Sequence, residues 1–198
     1  MKSTQKPAIA DNDDVLRLLR AARTRTDQVR LFCLVRFGAH PENLRRWKPD
    51  ENIILTETEG IIRYRRAKNA RPMRFFIPLE QAGAIHETAR RNGLKITNQR
   101  YEQICREAQE RSGIDYPLTV SPWTLRHTHV LNELRKHLRA HAGGTLPGDT
   151  LYLVSISAGC TVDTVARHYL TLQDWLSTRG PSVAEPLDLS DFRFMEYD

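Results

Sequence analysis

The segment 121–130, SPWTLRHTHV, places one arginine and two histidines directly after a proline. An arginine can give two parallel hydrogen bonds to phosphate oxygens and stays charged at physiological pH. A histidine can move protons near neutral pH or bind a metal. Because proline is favoured at the first position of a helix, the segment also has the form of an ordinary helix start. Phosphate binding, catalysis and a merely polar helix start are all open at this point.

Metal binding has little support in the spacing of the histidines and cysteines. No acid or cysteine follows His127 and His129 at the spacing of a zinc finger or a zinc protease. Cys33, Cys105 and Cys160 are odd in number and lack CxxC spacing, which is typical neither of a disulfide framework nor of a structural zinc site. We therefore expect reduced thiols, no metal and no cofactor.

A strongly basic stretch, RYRRAKNARPMR, occupies positions 63–74. The formal charge of the chain is +6, but the last eighteen residues hold five acids and one arginine, so the remainder carries +10. Such an excess favours a polyanionic partner such as DNA or RNA, with a solvated charged surface as the alternative. The residues that we expect to face DNA are Arg63, Arg65, Arg66, Lys68, Arg71, Arg126 and His127.

The elements that must position these residues follow from apolar spacing and turn residues. Segment 15–38 predicts two helices with a break at TRTD, 24–27, and Gly38 and Pro41 predict a turn before a short helix. Segment 51–79, rich in Ile, Tyr and Phe, predicts a small antiparallel sheet. Two helices follow at 80–93 and 98–113, and we expect Gly93 and Gly113 to end them.

The rest of the chain is predicted to be helical, with one helix after Pro122 and further helical runs up to residue 180. The predicted class is α+β, mainly helical with a small three-stranded antiparallel sheet. No stretch has the apolar length needed to span a bilayer, and the N-terminus lacks the apolar core of a signal peptide. The cytoplasm is therefore the default location.

Four segments in order resemble the catalytic domain of tyrosine recombinases, the phage integrase family: the turn GAHP (38–41), the basic hairpin, LRHT (125–128) and the spacing from Gly159 to Tyr169. In that family a Gly-x-Arg turn, a hairpin lysine, a Pro-His-x-Leu-Arg-His-Thr segment and a Gly-His-x(8)-Tyr segment form one site. The resemblance covers roughly residues 13–175. It implies the DNA breaking-rejoining fold and a double-stranded DNA partner.

The resemblance assigns three catalytic roles. It implies that Tyr169 is the nucleophile, Arg126 the second phosphate-binding arginine and Lys68 the general acid. A tyrosine that attacks a phosphodiester needs cationic donors for the transition state and groups that move protons. Each residue also has a structural alternative: Arg126 as a salt-bridge partner, Lys68 as one more charge on a basic hairpin, and Tyr169 as a core tyrosine.

Three family positions are substituted: His40 replaces the first arginine, Trp123 the first histidine, and Cys160 a histidine or tryptophan. Asn43 also stands where the family has a supporting acid. Loss of one preorganised donor costs about 3–4 kcal/mol of transition-state stabilisation. An indole cannot accept a proton, and a thiol is a weak donor. We expect an enzyme that is severely slowed or inactive. Trp123 is expected to be a packed aromatic residue, with a base-stacking platform as the alternative.

The predicted organisation is a polar leader at 1–12, a recombinase-like domain at 13–178 and an acidic tail at 179–198, without an N-terminal core-binding domain. The leading hypothesis is a DNA-binding protein of the tyrosine recombinase kind, a pseudoenzyme with an accessory or regulatory role in a mobile element. The alternatives are an active recombinase or integrase that uses Tyr169, and an unrelated helical transcription regulator. A homo-oligomer or a partner recombinase is expected in the first two cases.

Overall fold

A computed structural model describes residues 8–9, 11–65, 72–140, 148–167 and 185–196. It contains a three-stranded antiparallel sheet among helices, which confirms the predicted class. The elements are α1 (Asn12–Arg20), α2 (Arg25–Phe37), α3 (Pro41–Arg46), α4 (Pro49–Asn52), β1 (Ile53–Leu55), β2 (Glu59–Tyr64), β3 (Met73–Pro78), α5 (Leu79–Arg90), α6 (Asn98–Ser112), α7 (Pro122–Ala140) and α8 (Gly148–Ala158). Residues 162–167 are also helical. No helix within these ranges is long and apolar enough to cross a membrane.

The first two helices begin where polar side chains cap their free N–H groups. Asp11 accepts from the N–H groups of Asp13 and Asp14 at α1, and Thr24 accepts from that of Asp27 at α2. Because Thr24 is the cap, the break lies at 21–24 rather than at 24–27. Helix α2 is buried on nearly all sides and forms the centre of the core.

The sheet has the strand order β1-β2-β3 and packs one face against α5. The inward side chains Ile53, Ile62 and Ile77 are buried. The close approach of sheet and helix requires a glycine, because a Cβ at Gly60 would overlap the Cβ of Ala82. The opposite face of β2 and β3 is open to solvent along much of its length.

One of the two predicted helix stops is wrong. Gly113 takes the left-handed conformation at the end of α6, with φ 58°, as expected. Helix α5, however, ends at Arg90, and the left-handed residue after it is Asn92, with φ 56°. Gly93 instead packs against Thr88, where a Cβ would lie 2.8 Å from both the carbonyl oxygen and Cγ2. Gly93 is therefore required by close packing and not by backbone conformation.

Residues 185–196 pack onto the body of the molecule although their composition is acidic. Leu187, Leu189 and Phe192 are buried. The Gln81 side-chain amide donates to the carbonyls of Leu189, Ser190 and Phe192 at 2.7–3.0 Å. Asn132 accepts from the N–H of Leu187 and donates to its carbonyl. The domain boundary at 178 stays a prediction, since it falls outside the described residues.

Candidate nucleic-acid interface

Arg126 lies at the centre of the candidate site and joins three of the four segments that carried the resemblance. Its Nη1 donates to the carbonyl of Gly38 at 2.8 Å, and its Nη2 donates to the carbonyl of Gly159 at 3.3 Å. The first carbonyl belongs to the turn GAHP and the second to the turn after α8. The guanidinium is partly buried and held in one orientation by these bonds.

Both carbonyl groups belong to helix C-termini that end in a left-handed glycine. Gly38 has φ 57° at the end of α2, and Gly159 has φ 56° after α8. At α8 the N–H of Cys160 donates to the carbonyl of Ser155, and the N–H of Gly159 to that of Ile156, the pattern of a Schellman motif. Carbonyls at helix C-termini carry partial negative charge, so they are favourable partners for Arg126. Half-buried Cys160 thus lies beside the residue that Arg126 binds.

The N-terminus of α7 is fixed by reciprocal capping. Ser121 Oγ accepts from the N–H of Thr124 at 3.3 Å, and Thr124 Oγ1 accepts from the N–H of Ser121 at 3.2 Å. One turn later, Thr128 Oγ1 donates to the carbonyl of Thr124 and accepts from the N–H of Ile9. These bonds set the rotation of α7 that points Arg126 toward the two turns.

Asn43 connects the turn to the sheet. Its Oδ1 accepts from the N–H of His40 at 3.1 Å, and its Nδ2 donates to the carbonyl of Arg65 at 3.3 Å. Tyr64 adds a second link, because its hydroxyl donates to the carbonyl of Phe37 at 2.6 Å. The end of β2, where the basic hairpin begins, is therefore held close to the turn that Arg126 binds.

Trp123 is exposed, which corrects the expectation that it packs into the protein. The residue keeps 47% of its surface open to solvent. Its ring contacts that of His40 edge to face, with centroids 4.5 Å apart and planes at 75°. The ring of His127 lies 6.2 Å away at 32°. Three aromatic rings, one indole and two imidazoles, therefore meet at the surface beside Arg126.

The second histidine of the opening motif has a structural position. His129 is 1% exposed and contacts Phe75, with ring centroids 6.1 Å apart. It faces the core while His127 faces the surface side of α7. Across the described ranges, no group of three His, Cys, Asp or Glu side chains is arranged to hold a metal ion.

Several predicted site residues lie outside the described residues: Arg66, Lys68, Arg71 and Tyr169. Their roles stay predictions. Arg63 and Arg65 are described, and both are exposed at and beyond the end of β2. The residues brought together by the described part are His40, Trp123, Arg126, His127 and Cys160.

The outward face of the sheet contains one basic residue that the sequence interpretation missed. Arg74 of β3 lies directly opposite Arg63 of β2, and both are exposed. Neither forms an ion pair with any residue in the described ranges. Phe76, 56% exposed, lies opposite Ile61 on the same face. Strand alternation could have identified Arg74, because positions 74 and 76 share the face of 61 and 63 once the pairing is known.

Burial, not charge pairing, explains the pKa shifts of two arginines away from the site. Burial lowers the pKa of Arg135 to about 10, opposed by the nearby carboxylate of Asp11. Burial also lowers the pKa of Arg36, opposed by Glu133 and Asp188. Both cations serve packing between α2, α7 and their neighbours, so part of the basic charge of the chain is internal.

Comparison with known proteins defines the fold. No protein-family model and no curated protein sequence matches the chain. The helices and the three-stranded sheet nevertheless have the arrangement of tyrosine-recombinase catalytic domains. The predicted fold is thereby confirmed.

Individual solved structures give the extent of the likeness. XerH site-specific recombinase bound to palindromic difH substrate, a post-cleavage complex, has a TM-score of 0.64 and 13% identity over 89% of this chain and 54% of that chain. XerA recombinase has a TM-score of 0.61 and 20% identity over 91% and 66%. The pre-cleavage XerH complex with difH gives 0.61 and 11% over 90% and 56%. The chain thus spans between about half and two thirds of the length of these proteins.

Proposed function

We propose that this protein binds double-stranded DNA through the open sheet face and the Arg126 turn cluster, as a recombinase-like protein whose strand-exchange chemistry is impaired. Its role is that of an accessory or regulatory DNA-binding protein. The observation that carries the proposal is the exposed pair of Arg63 and Arg74, directly opposite each other on neighbouring strands. The XerH structures contain a difH DNA substrate, which supports a DNA partner for a chain with the same fold.

The arginine pair argues for a polyanion because like charges directly opposite each other on a sheet are destabilising. A phosphate backbone removes that cost by placing negative charge between them. Arg65 directly follows the last residue of β2, and the bond from Asn43 to its carbonyl connects the end of this strand to the turn bound by Arg126. A third exposed arginine therefore lies where the end of β2 approaches that turn.

Impaired chemistry is proposed from the side chains at three family positions. Trp123 cannot accept a proton, and Cys160 offers only a weak donor beside the Gly159 turn. His40 replaces an arginine, and a histidine, unlike an arginine, does not keep a permanent charge across the physiological pH range. DNA binding, in contrast to strand cleavage, needs only the cationic side chains that are still present, such as Arg126.

The binding surface is tested by salt dependence. Arg63→Ala/Arg74→Ala is compared with Arg20→Ala/Arg23→Ala, which removes the same charge from an exposed position elsewhere. We expect the sheet-face variant to lower duplex affinity and to reduce the slope of log K against log salt by about two, since each phosphate contact contributes roughly 0.9. Equal effects of the two double variants would contradict binding at the sheet face.

The chemical part is tested with a DNA substrate that carries a nick beside the scissile phosphate, which traps a covalent product. We expect DNA binding without a covalent adduct. An adduct that disappears in Tyr169→Phe would establish the alternative, an active recombinase with a rearranged site. Because the role of Tyr169 rests on the resemblance, this assay tests that role directly.

A further inference from the structure

The indole of Trp123 is exposed, as are the side chains of Phe76 and Tyr152, but it is the one among these three that lies beside Arg126 at the start of α7. The other described tryptophan, Trp47, is 3% exposed, and Phe32, Phe37 and Tyr101 are fully buried. Burial of large aromatic rings is a main source of core stability, so an indole left 47% exposed gives up much of that contribution. Its neighbours nevertheless hold it in place. Such a combination of exposure and fixed geometry is typical of a binding residue.

The indole is held by two separate elements. His40, at the start of α3, contacts it edge to face, and its own N–H is fixed by Asn43. His127, one turn further along α7, lies at a small interplanar angle. Pro122 and the reciprocal caps of Ser121 and Thr124 restrict the backbone on which Trp123 is carried. A ligand that stacks on this ring would therefore cost little side-chain entropy.

The surroundings indicate the chemistry of the ligand. Arg126 lies three residues along α7. Exposed Arg65 follows the end of β2, and its carbonyl accepts from Asn43, the residue that also binds the N–H of His40. Aromatic rings flanked by cations bind nucleic acid in which the bases stack on the rings and the cations follow the backbone. In a duplex the faces of each base are covered by its neighbours. Away from the duplex ends, only an unpaired or extruded base presents a free face.

We propose that Trp123, supported by His40 and His127, forms a stacking site for an unpaired DNA base, so that the protein prefers gapped or locally opened DNA to a continuous duplex. The inference rests on the proposed DNA-binding function and specifies its substrate. The cations supply affinity for any DNA, and the indole adds affinity where a base is unpaired.

The test compares a duplex of arbitrary sequence with the same duplex containing a short single-stranded gap, using the full chain. Wild type should bind the gapped DNA more tightly. Trp123→Leu should lose about 5- to 150-fold in affinity for the gapped DNA, the range for one stacked base, and little for the duplex. The salt slope should be unchanged, because no charge is removed. Leu118→Ala is the matched control, since Leu118 is a similarly exposed apolar residue.

The outcomes separate the two proposals. Failure of wild type to bind either DNA would overturn the proposed function. Normal duplex binding with no gap preference, or equal loss on both DNAs in Trp123→Leu, would overturn the stacking site alone. A second measurement keeps the test valid if Trp123→Leu does not fold. Wild type should quench the fluorescence of 2-aminopurine placed in the gap, and Trp123→Phe, which keeps a smaller aromatic ring, should quench it less. Unchanged 2-aminopurine fluorescence with bound wild type would also overturn the stacking site.

Discussion

Arg126 has a structural role in addition to the DNA-binding role proposed for it. Its hydrogen bonds to Gly38 and Gly159 reach 88 and 33 residues along the chain. An arginine has five N–H donors in a rigid fork, so bonds to two carbonyls also orient the remaining part of the guanidinium. The same contacts that close the turns therefore set the direction of the charge.

Loss of this side chain should affect stability as well as binding. Arg126→Ala leaves two helix-terminal carbonyls without their guanidinium partner, and we expect the free energy of unfolding to fall by about 1–3 kcal/mol. DNA affinity should fall more than in Lys95→Ala, which changes an exposed lysine. Urea denaturation and DNA titration of both variants provide the measurement. Unchanged stability in Arg126→Ala would show that the two carbonyl bonds contribute nothing measurable.

The residues of SPWTLRHTHV also show what sequence interpretation at this scale can and cannot reach. The helix start after Ser121 was predictable from proline and hydroxyl capping. The opposite burial of His127 and His129 depends on the rotation of α7, which is fixed by contacts such as that of Thr128 with Ile9. Trp123 was wrongly expected to pack, because its environment includes His40, which is remote in sequence.

At the scale of elements, several arginine side chains donate hydrogen bonds to carbonyl groups at the C-termini of neighbouring helices. Arg17 donates to the carbonyls of Ser112 and Gly113, while Arg111 donates to that of Ala21, so α1 and α6 cap each other. Arg30 donates to the carbonyl of Gly93 after α5. Cations near helix C-termini are favourable for the helix dipole. The basic composition thus includes charges used inside the fold, which a simple charge count assigns to DNA.

Substitutions at two adjacent positions of the turn after α5 should change the stability of the protein in different directions. Asn92→Gly removes a side chain from a left-handed residue and should be neutral or stabilising by up to about 1 kcal/mol. Gly93→Ala places a Cβ 2.8 Å from the Thr88 carbonyl and should destabilise by about 1–3 kcal/mol. Thermal denaturation of both variants tests this. A larger loss of stability in Asn92→Gly than in Gly93→Ala would indicate that Gly93, as the sequence predicts, is the residue that ends the helix.

For the whole molecule, the C-terminal segment is an integral part of the core. Phe192 and Phe194 contact Phe32 with ring centroids 5.7 and 5.1 Å apart. Met195 also donates its N–H to the buried Gln28 side chain at 2.7 Å. An acidic composition alone did not reveal this, because the buried residues are few and their partners lie on α2, α5 and α7.

Removal of this segment should therefore lower stability. Phe192→Ala is expected to cost about 3–5 kcal/mol, as for other buried phenylalanines. Deletion of residues 185–198 should cost at least as much. Denaturant unfolding gives the comparison, with Phe76→Ala as the control because Phe76 is exposed. Equal small effects of Phe192→Ala and Phe76→Ala would contradict a role of the segment in the core.

The same segment should make stability sensitive to acid. Hydrogen bonds from the backbone and hydroxyl of Ser190 lower the pKa of Asp188 below its ordinary value of 3.8, and Arg36 and Lys136 act in the same direction. Because the folded pKa is depressed, the stabilisation is present at neutral pH and is lost as the pH falls through the folded value, below 3.8. Asp188→Asn should flatten the acid limb of a stability-against-pH curve. Asp191→Asn, another exposed carboxylate of the segment, is the control, and an equal flattening there would contradict the specific role of Asp188.

The general architecture could be predicted because local patterns determine it: apolar spacing gave the helices, and alternating Ile, Tyr and Phe gave the sheet. The candidate site could be predicted only in part. His40, Trp123 and Arg126 were identified from their positions in ordered segments. The pairing of Arg74 with Arg63 depends on strand register, and the hydrogen bonds of Arg126 to two turns depend on tertiary contacts. Neither the register nor the tertiary contacts can be read from a single sequence segment.

The structural use of Arg126 has a consequence for how sequences of this fold change over time. The side chains at positions 40, 123 and 160 do not supply the Arg126 hydrogen bonds that hold the turns, so changes at these positions can accumulate in a folded protein. A mutation at position 126 would weaken folding whether or not the protein cleaves DNA. Purifying selection can therefore preserve this arginine in a lineage that no longer performs the reaction, and its presence alone is no measure of enzymatic activity.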